Sequence, residues 1–462
     1  MSDAAAAKTE YGVAALGLGV TRDLCAFLAR FRFSDLPAAV VHEARRGMLD
    51  WIGCALAGSG HPTIGTLVDT FVELGSPAKA TVIGRRGVRL GLLDAPIANG
   101  QMGHLLDFDD THMGGVVLHA SSPILAALFA LGERGPAVDG RAMICAYVAG
   151  FEAGVRAGQG APAHHDGGWH LTGTLGAIAA GAAGGRLLGL DAQRLTYAVG
   201  IATTQAAGMQ QNRGTSCKSL HAGKAAASGA LAALLAAKGY DSSEEILEGK
   251  RGFCRIYSAV ATPEAILQGL GERWEIARNG YKPYACGVVL HPLIDAMIAL
   301  SREAAVPVAE VDRIELEVHP HAVKITGVDD PRSGLMSKFS VNHSASVAYI
   351  DRDAGIAQYA DARATSPDVV AFRRRIAVAT VDGFRKDQAR ATLVTRDGRR
   401  HVVDVEHASG TADNPMSDAA LETKFLANAT PVLGADGARR LADRVWKLEA
   451  ERDMRDLLAI SA

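Results

Sequence analysis

Residues 95–115 read APIANGQMGHLLDFDDTHMGG, and the way this stretch folds decides the class of the chain. Its segment 107–111, DFDDT, spells Asp-x-Asp-x-Thr, the nucleophile signature of a large class of phosphohydrolases. That chemistry needs the first aspartate at the end of a parallel strand buried on both faces, so a run of β-branched residues should come before it. Gly, Asn, Gln and His come before it instead, while Ile97, Met102, Leu105 and Leu106 stand at helical spacing. No strand–helix alternation surrounds it, and the signature without its setting carries little weight. Read as helix, the same letters put His104, Asp107, Asp110 and Thr111 on one stripe and turn Asp109 largely away. Asp and Thr are also common at helix ends as caps. Taken alone, the stripe reads as well for structure as for chemistry.

Outward from this stretch the apolar period stays helical from about 20 to 265. Runs at 38–58, 93–106, 121–133, 140–157, 173–188, 192–209 and 223–238 each place apolar residues three and four apart, and most end in a Gly-containing break. One short alternating piece, KATVIG (79–84), predicts a strand. Beyond 270 the pattern changes. DRIELEVHPHAV (312–323), RIAVATVD (375–382), ARATLVTRDG (389–398) and RHVVDVEH (400–407) alternate as strands do, the last two forming a hairpin through RDGR. Helical runs at 291–304 and 343–362 are interleaved with them. The fold class expected is mainly α with an α+β second domain: helices over 1–269, an α+β domain over 270–407, and C-terminal helices over 408–462 that return to the first domain.

Composition narrows the function. The 462 residues carry a net charge of −2 with no basic block, which argues against nucleic-acid or membrane-surface binding. Aromatic residues are scarce at 5% against 51 glycines, so close-packed helices are expected rather than an aromatic core. The N-terminal stretch lacks the pattern of a signal peptide and reads as an unstructured lead into a helix. Apolar runs such as AAASGALAALLAA (225–237) stop short of the roughly 18 residues that imply a span. Cys25, Cys54, Cys145, Cys217, Cys254 and Cys286 show no metal or disulfide spacing and fit a reducing cytoplasm.

Three further polar clusters stand out. GGWHLTGTLGA (167–177) sets His170 and Thr172 at a Gly-rich helix start. NRGTSCKSLHAGKAAASG (212–229) places Arg213, Lys218, His221 and Lys224 in a dozen residues. GYKPYACGVVLHPLIDA (280–296) puts Lys282 and Tyr284 around a proline, with His291 beyond. Each has a plain structural reading as a hydrogen-bonding histidine or a solvated helix end. Together they suit a small polyanionic carboxylate, with Arg and Lys pairing its carboxylates and His or Tyr moving a proton. Removing a proton next to a carboxylate builds charge that cationic donors must hold, a step shared by dehydration, decarboxylation and epimerisation.

With these stretches, NGQMGHLLDFDDTH, LHASSP, WHLTGTLGA, CKSLHAGKAAASG, KPYACGVVLHPLIDA, KFSVNHSASVA and NPMSDAALETKF, the chain resembles the MmgE/PrpD family over nearly its whole length. The resemblance implies an all-α domain made by both chain ends, an inserted α+β lid and a homodimer. The family's activities include 2-methylcitrate dehydratase, cis-aconitate decarboxylase and iminodisuccinate epimerase, without metal or organic cofactor. Carried over, the site falls on Asp107, Thr111, His119, His170, Lys218 and Lys282, with the helical domain and lid on either side. His221, Tyr284, Arg213 and His343 are further substrate contacts. His119 is followed by Ala120 where many members have proline, His343 stands where many have tyrosine, and Arg213 replaces a residue that is often apolar or small. Two features expected of 2-methylcitrate dehydratases are absent, an Asn at the second acidic position and a Trp-Gly-His-Pro segment. The spacing from the Asp-rich motif to His119 is longer than in the decarboxylases. The expected activity is a cytoplasmic lyase acting as a dehydratase on a small di- or tricarboxylate, with epimerase, decarboxylase and non-catalytic binding as alternatives. A metal-dependent hydrolase on Asp107, Asp110, His165 and Asp166 is the remaining alternative.

Overall fold

The computed structural model describes residues 19–112 and 114–461; the N-terminal lead read from the sequence lies largely outside them. The chain forms two compact units. One comprises the residues up to Leu105, Asp109–Asn279 and everything from Asp418; the other comprises Leu106–Phe108 and Gly280–Ser417. The first is helical and the second mixes helices with one sheet, so the fold is mainly α with an α+β second unit.

Small residues set the packing of the helical unit. Helices Asp94–Leu105, Ser121–Gly132, Gly140–Gln159 and Leu171–Leu187 bury nearly every side chain they carry, and Ser216–Ala237 buries about half of its own. A Cβ on Gly223 would stand 2.1 Å from the Ile97 carbonyl, so Asp94–Leu105 and Ser216–Ala237 touch backbone to backbone. Such contact buries area without long side chains and keeps whatever both helices carry in close register. Ser216–Ala237 is long and apolar enough by composition to cross a membrane, yet most of its apolar window is buried inside the unit, as in a core helix. The C-terminal helix Asp418–Val445, broken at Gly434, is tied to Ala38–Ser59 by a buried ion pair, Lys424 Nζ to Asp50 Oδ1 at 2.6 Å.

In the second unit the sheet order is Ile376–Thr380, Val311–Val318, Ala389–Thr395, Arg400–Val405. The first pair is parallel, the others antiparallel, and the last two strands form the expected hairpin. Helix His291–Glu303 sits beside Val341–Ile350 in the same unit.

The structure corrects several element expectations. The strand expected over 312–323 stops at Val318, because Pro320 opens a helix with His319 as its cap. The helix expected over 343–362 ends at Ile350, where Arg352 takes a left-handed φ of 57°. The run at 192–209 stops at Thr203, and Ser216–Ala237 begins seven residues before the apolar run at 223–238. Lys218 and His221 therefore lie within a helix rather than ahead of one.

Candidate functional site

Asp94–Leu105 is a helix, but the DFDDT segment is not. Asp107 takes φ 52°, a left-handed conformation that Asp tolerates better than most residues and that ends the helical path. The single stripe of His104, Asp107, Asp110 and Thr111 is thereby overturned, and each of the four finds a different partner.

Asp109, expected to turn away, instead swings back onto the helix it follows. Its carboxylate meets His104 Nδ1 at 2.9 and 3.0 Å and accepts from Ser122 Oγ at 3.1 Å. It also lies 3.6 Å from His119 Nδ1. That nitrogen faces Thr111 Oγ1 at 2.9 Å and the Asp110 carbonyl at 2.8 Å. A carbonyl only accepts, so Nδ1 of His119 carries the proton and the neutral ring has its lone pair on Nε2. Asp110 accepts from Ser121 Oγ at 2.6 Å and Asn279 Nδ2 at 2.7 Å. Burial, then the nearby Asp50 and Asp109 charges, push its carboxyl well above the usual range.

Four imidazoles gather here. His104 lies 4.6 Å from His119 and 5.4 Å from His170, ring centre to ring centre, and His170 lies 5.1 Å from His221. His170 caps the Leu171–Leu187 helix, and its backbone N–H donates to Gly208. His221 comes from Ser216–Ala237, and the two Nδ1 atoms are 2.9 Å apart. Burial, then Lys218 and the other histidines, hold His170 well below the ordinary imidazole range. Burial, His104 and Lys218 bring His221 down to about 4. The expected residues Thr111, His119, His170, His221 and Lys218 are thus drawn together in the helical unit, with His104 and Asp109 added. Asp109 lay outside the candidate set because the helical reading of 107–111 aimed it away, whereas His104 stood on the expected stripe without being carried into the set.

Arg213 stands one loop further out, its Nη2 3.3 Å from His165 Nε2. With Trp169, Met209 and Gln210 it lines an open cleft beside the His170 loop.

In the second unit Lys282 is buried and donates to the Asp107 carboxylate at 2.9 Å and to the Asp107 and Cys286 carbonyls at 3.1 Å each. These bonds hold Asp107 in its left-handed turn. Lys338 donates to the carbonyls of Leu106, at 2.7 Å, and Ala285, at 2.5 Å. Tyr284 donates to Asp295 at 2.5 Å, and burial followed by the Asp295 charge raises its hydroxyl pKa. His343 donates from Nε2 to the Gln358 carbonyl at 2.9 Å and accepts at Nδ1 from Arg373 at 2.9 Å. Both its nitrogens are committed. Burial is the main cause that takes it to about 4, the Gln358 bond opposing and Arg373 adding. Tyr284 and His343 are each held by a side chain or carbonyl of this same unit.

The set His104, Asp109 and His119 brings one possible ligand atom each within 4.8 Å of the others, a donor set that could suit a divalent metal. With its Nδ1 proton turned to the Asp110 carbonyl, His119 has Nε2 to offer such an ion. The alternative set of Asp107, Asp110, His165 and Asp166 is not assembled as a ligand cluster. Asp107 pairs with Lys282, Asp110 with Ser121 and Asn279, and His165 with Arg213.

A two-unit fold with a cluster of four imidazoles, a buried carboxylate and a lysine carries groups suited to acid–base chemistry on anions. Residues 22–265 match the MmgE/PrpD N-terminal domain and residues 284–450 the MmgE/PrpD C-terminal domain. The chain belongs to the MmgE/PrpD family. It is 27% identical to a cis-aconitate decarboxylase of Aspergillus terreus (strain NIH 2624 / FGSC A1156) over 96% of both chains. It is 24% identical to the cis-aconitate decarboxylases of Mus musculus and Homo sapiens, in each case over 94% of this chain and over 91% and 92% of theirs.

Proposed function

We propose that this protein is a lyase for a small, unsaturated di- or tricarboxylate and that loss of CO₂ is its leading reaction. The observation that carries this reading is the cluster of His104, His119, His170 and His221 with Asp109 and Lys218 around it. The relatives named above move decarboxylation ahead of the dehydration expected from the sequence, and cis-aconitate becomes the first acid to try.

Lys218 holds a retained carboxylate of the substrate. As the leaving carboxylate departs, the C–C bond breaks and its electron pair stays on carbon, spread toward the retained carboxylate and the double bond. A protonated imidazole then delivers its proton to that carbon. His170 is the donor, because the arriving anion offsets the burial and the Lys218 charge that otherwise keep its ring neutral. His119, fixed by Thr111 and Asp110, is the second proton-transfer group. Such positioned acid–base groups contribute on the order of 10²- to 10⁴-fold each.

Dehydration stays as the second reading because burial and Lys218 favour the neutral form of His170, the form that abstracts a proton. The test is ¹H NMR of the full chain in D₂O against a panel of hydroxy and unsaturated polycarboxylates that includes cis-aconitate. Loss of CO₂ with one deuterium placed on carbon supports decarboxylation. Loss of water from a hydroxy acid favours the second reading, and exchange alone favours epimerisation. An untouched panel would leave only the binding reading, which a thermal-shift screen with the same acids would test.

A further inference from the structure

We propose that His221 is a positioning residue that fixes the tautomer of His170 by accepting its Nδ1 proton, and that it does not touch the substrate. The inference rests on the acid–base reading above and deepens it.

Two Nδ1 atoms 2.9 Å apart cannot both carry protons or both lack them; one donates and one accepts. When His170 is the imidazolium, both its nitrogens carry protons, so His221 Nδ1 must then be the acceptor. A His221 ring kept as the Nε2–H tautomer meets that demand at every stage. His170 then presents Nε2 for the proton exchanged with carbon, and its Nδ1–H stays in place throughout. As Nε2–H breaks, its electron pair remains on Nε2, the new C–H bond takes the proton, and the Nδ1–H···Nδ1 bond is kept. A neutral imidazole thus takes the part that a carboxylate plays behind a catalytic histidine elsewhere.

The surroundings leave the His221 ring little room to leave this post. Gly208, at φ 140°, would place a Cβ 3.2 Å from His221 Nδ1, and a Cβ on Gly173 would lie 3.1 Å from His221 Cβ and 2.3 Å from the Ala207 carbonyl. The strand-like bridge of Trp169 to Met209 and the His170 N–H bond to Gly208 fasten the loop that carries His170 to the same wall. Gly208 leaves just enough room for the ring, and Gly173 lets the backbone at Ala207 come close beside it. A second carboxylate in this place would have been a stronger acceptor. It would also have neutralised Lys218, which the anion needs.

The test is ¹⁵N NMR of histidine-labelled full-length protein at pH 7, without substrate, with His170 signals assigned through a His170→Gln variant. In the unaltered protein His170 should be found mainly as the Nδ1–H tautomer, donating to His221. His221→Leu should remove that preference, and His221→Asn, whose amide oxygen can accept in the same place, should restore most of it. A melting curve shows that both variants are folded. His170 found as the Nε2–H tautomer in the unaltered protein, or unchanged in His221→Leu, would overturn the proposal. Because no turnover is measured, these results stand apart from the fate of the lyase reading.

Discussion

Asp109 reaches back to hold His104 at 2.9 Å, with neither side chain exposed to solvent. The same carboxylate lies 3.6 Å from His119, so one buried charge holds one imidazole and faces a second. Asp109→Asn keeps the shape and removes the charge. Charge-assisted hydrogen bonds are worth about 1.5–3 kcal/mol, so kcat should fall about 10- to 100-fold while KM moves little. Steady-state kinetics on whichever acid turns over checks this, and a change in KM alone would assign Asp109 to substrate binding.

Anion binding should bring a proton with it. Burial and cations depress His170 and His221 in the empty protein, and a carboxylate placed among them raises both again. Calorimetric titration with tricarballylate at pH 6.5 in buffers of different ionisation enthalpy should report net proton uptake. The groups facing His170 are His104, His119, Lys218 and His221. His221→Leu should reduce the uptake, and zero uptake in the unaltered protein would contradict the proposed protonation of His170.

Acid should weaken the fold before it reaches the carboxylate range. His164 and His343 are buried, and each is brought down to about 4, mainly by burial. Their folded values lie below the unfolded value near 6.5, so the stability they support is full above that value. It is lost as the pH falls from there through about 4, at up to about 1.4 kcal/mol per pH unit for each histidine. Urea melts at several pH values should show this slope, and His343→Gln should make it shallower.

The Asp50–Lys424 pair ties the C-terminal helix to the rest of the helical unit. Removing one partner leaves a buried charge, at a cost of about 3–5 kcal/mol. Lys424→Met and Asp50→Ala should each lower Tm sharply, and the double variant should recover part of the loss. Additive losses would mean that the pair is not coupled.

The helices were legible because their apolar spacing is regular and their Gly breaks are plain, and the hairpin at 389–407 because its strands alternate about RDGR. The site was legible as a set of residue types but not as a geometry. The left-handed turn at Asp107 has no local signature, since the Lys282 that holds it lies 175 residues further along the chain. Without that turn, periodicity carries the helix on through Thr111 and points Asp109 the wrong way. Lys218 and His221 were misplaced for a related reason. Polar residues at the start of Ser216–Ala237 read as lying before a helix, because the apolar stretch that marks it begins only at Gly223. His343 and Tyr284 look alike in sequence whether they face a substrate or their own neighbours, and only the bonds to Arg373, Gln358 and Asp295 tell the two apart.

The most direct measurement of the central claim is single-turnover proton transfer by His170→Gln beside the unaltered chain, followed by ¹H NMR in D₂O with the acid that turns over. The account predicts that deuterium delivery to carbon falls by about 10²-fold or more, with the fold and the affinity for tricarballylate retained. Deuterium delivered at an unchanged rate by His170→Gln would contradict it.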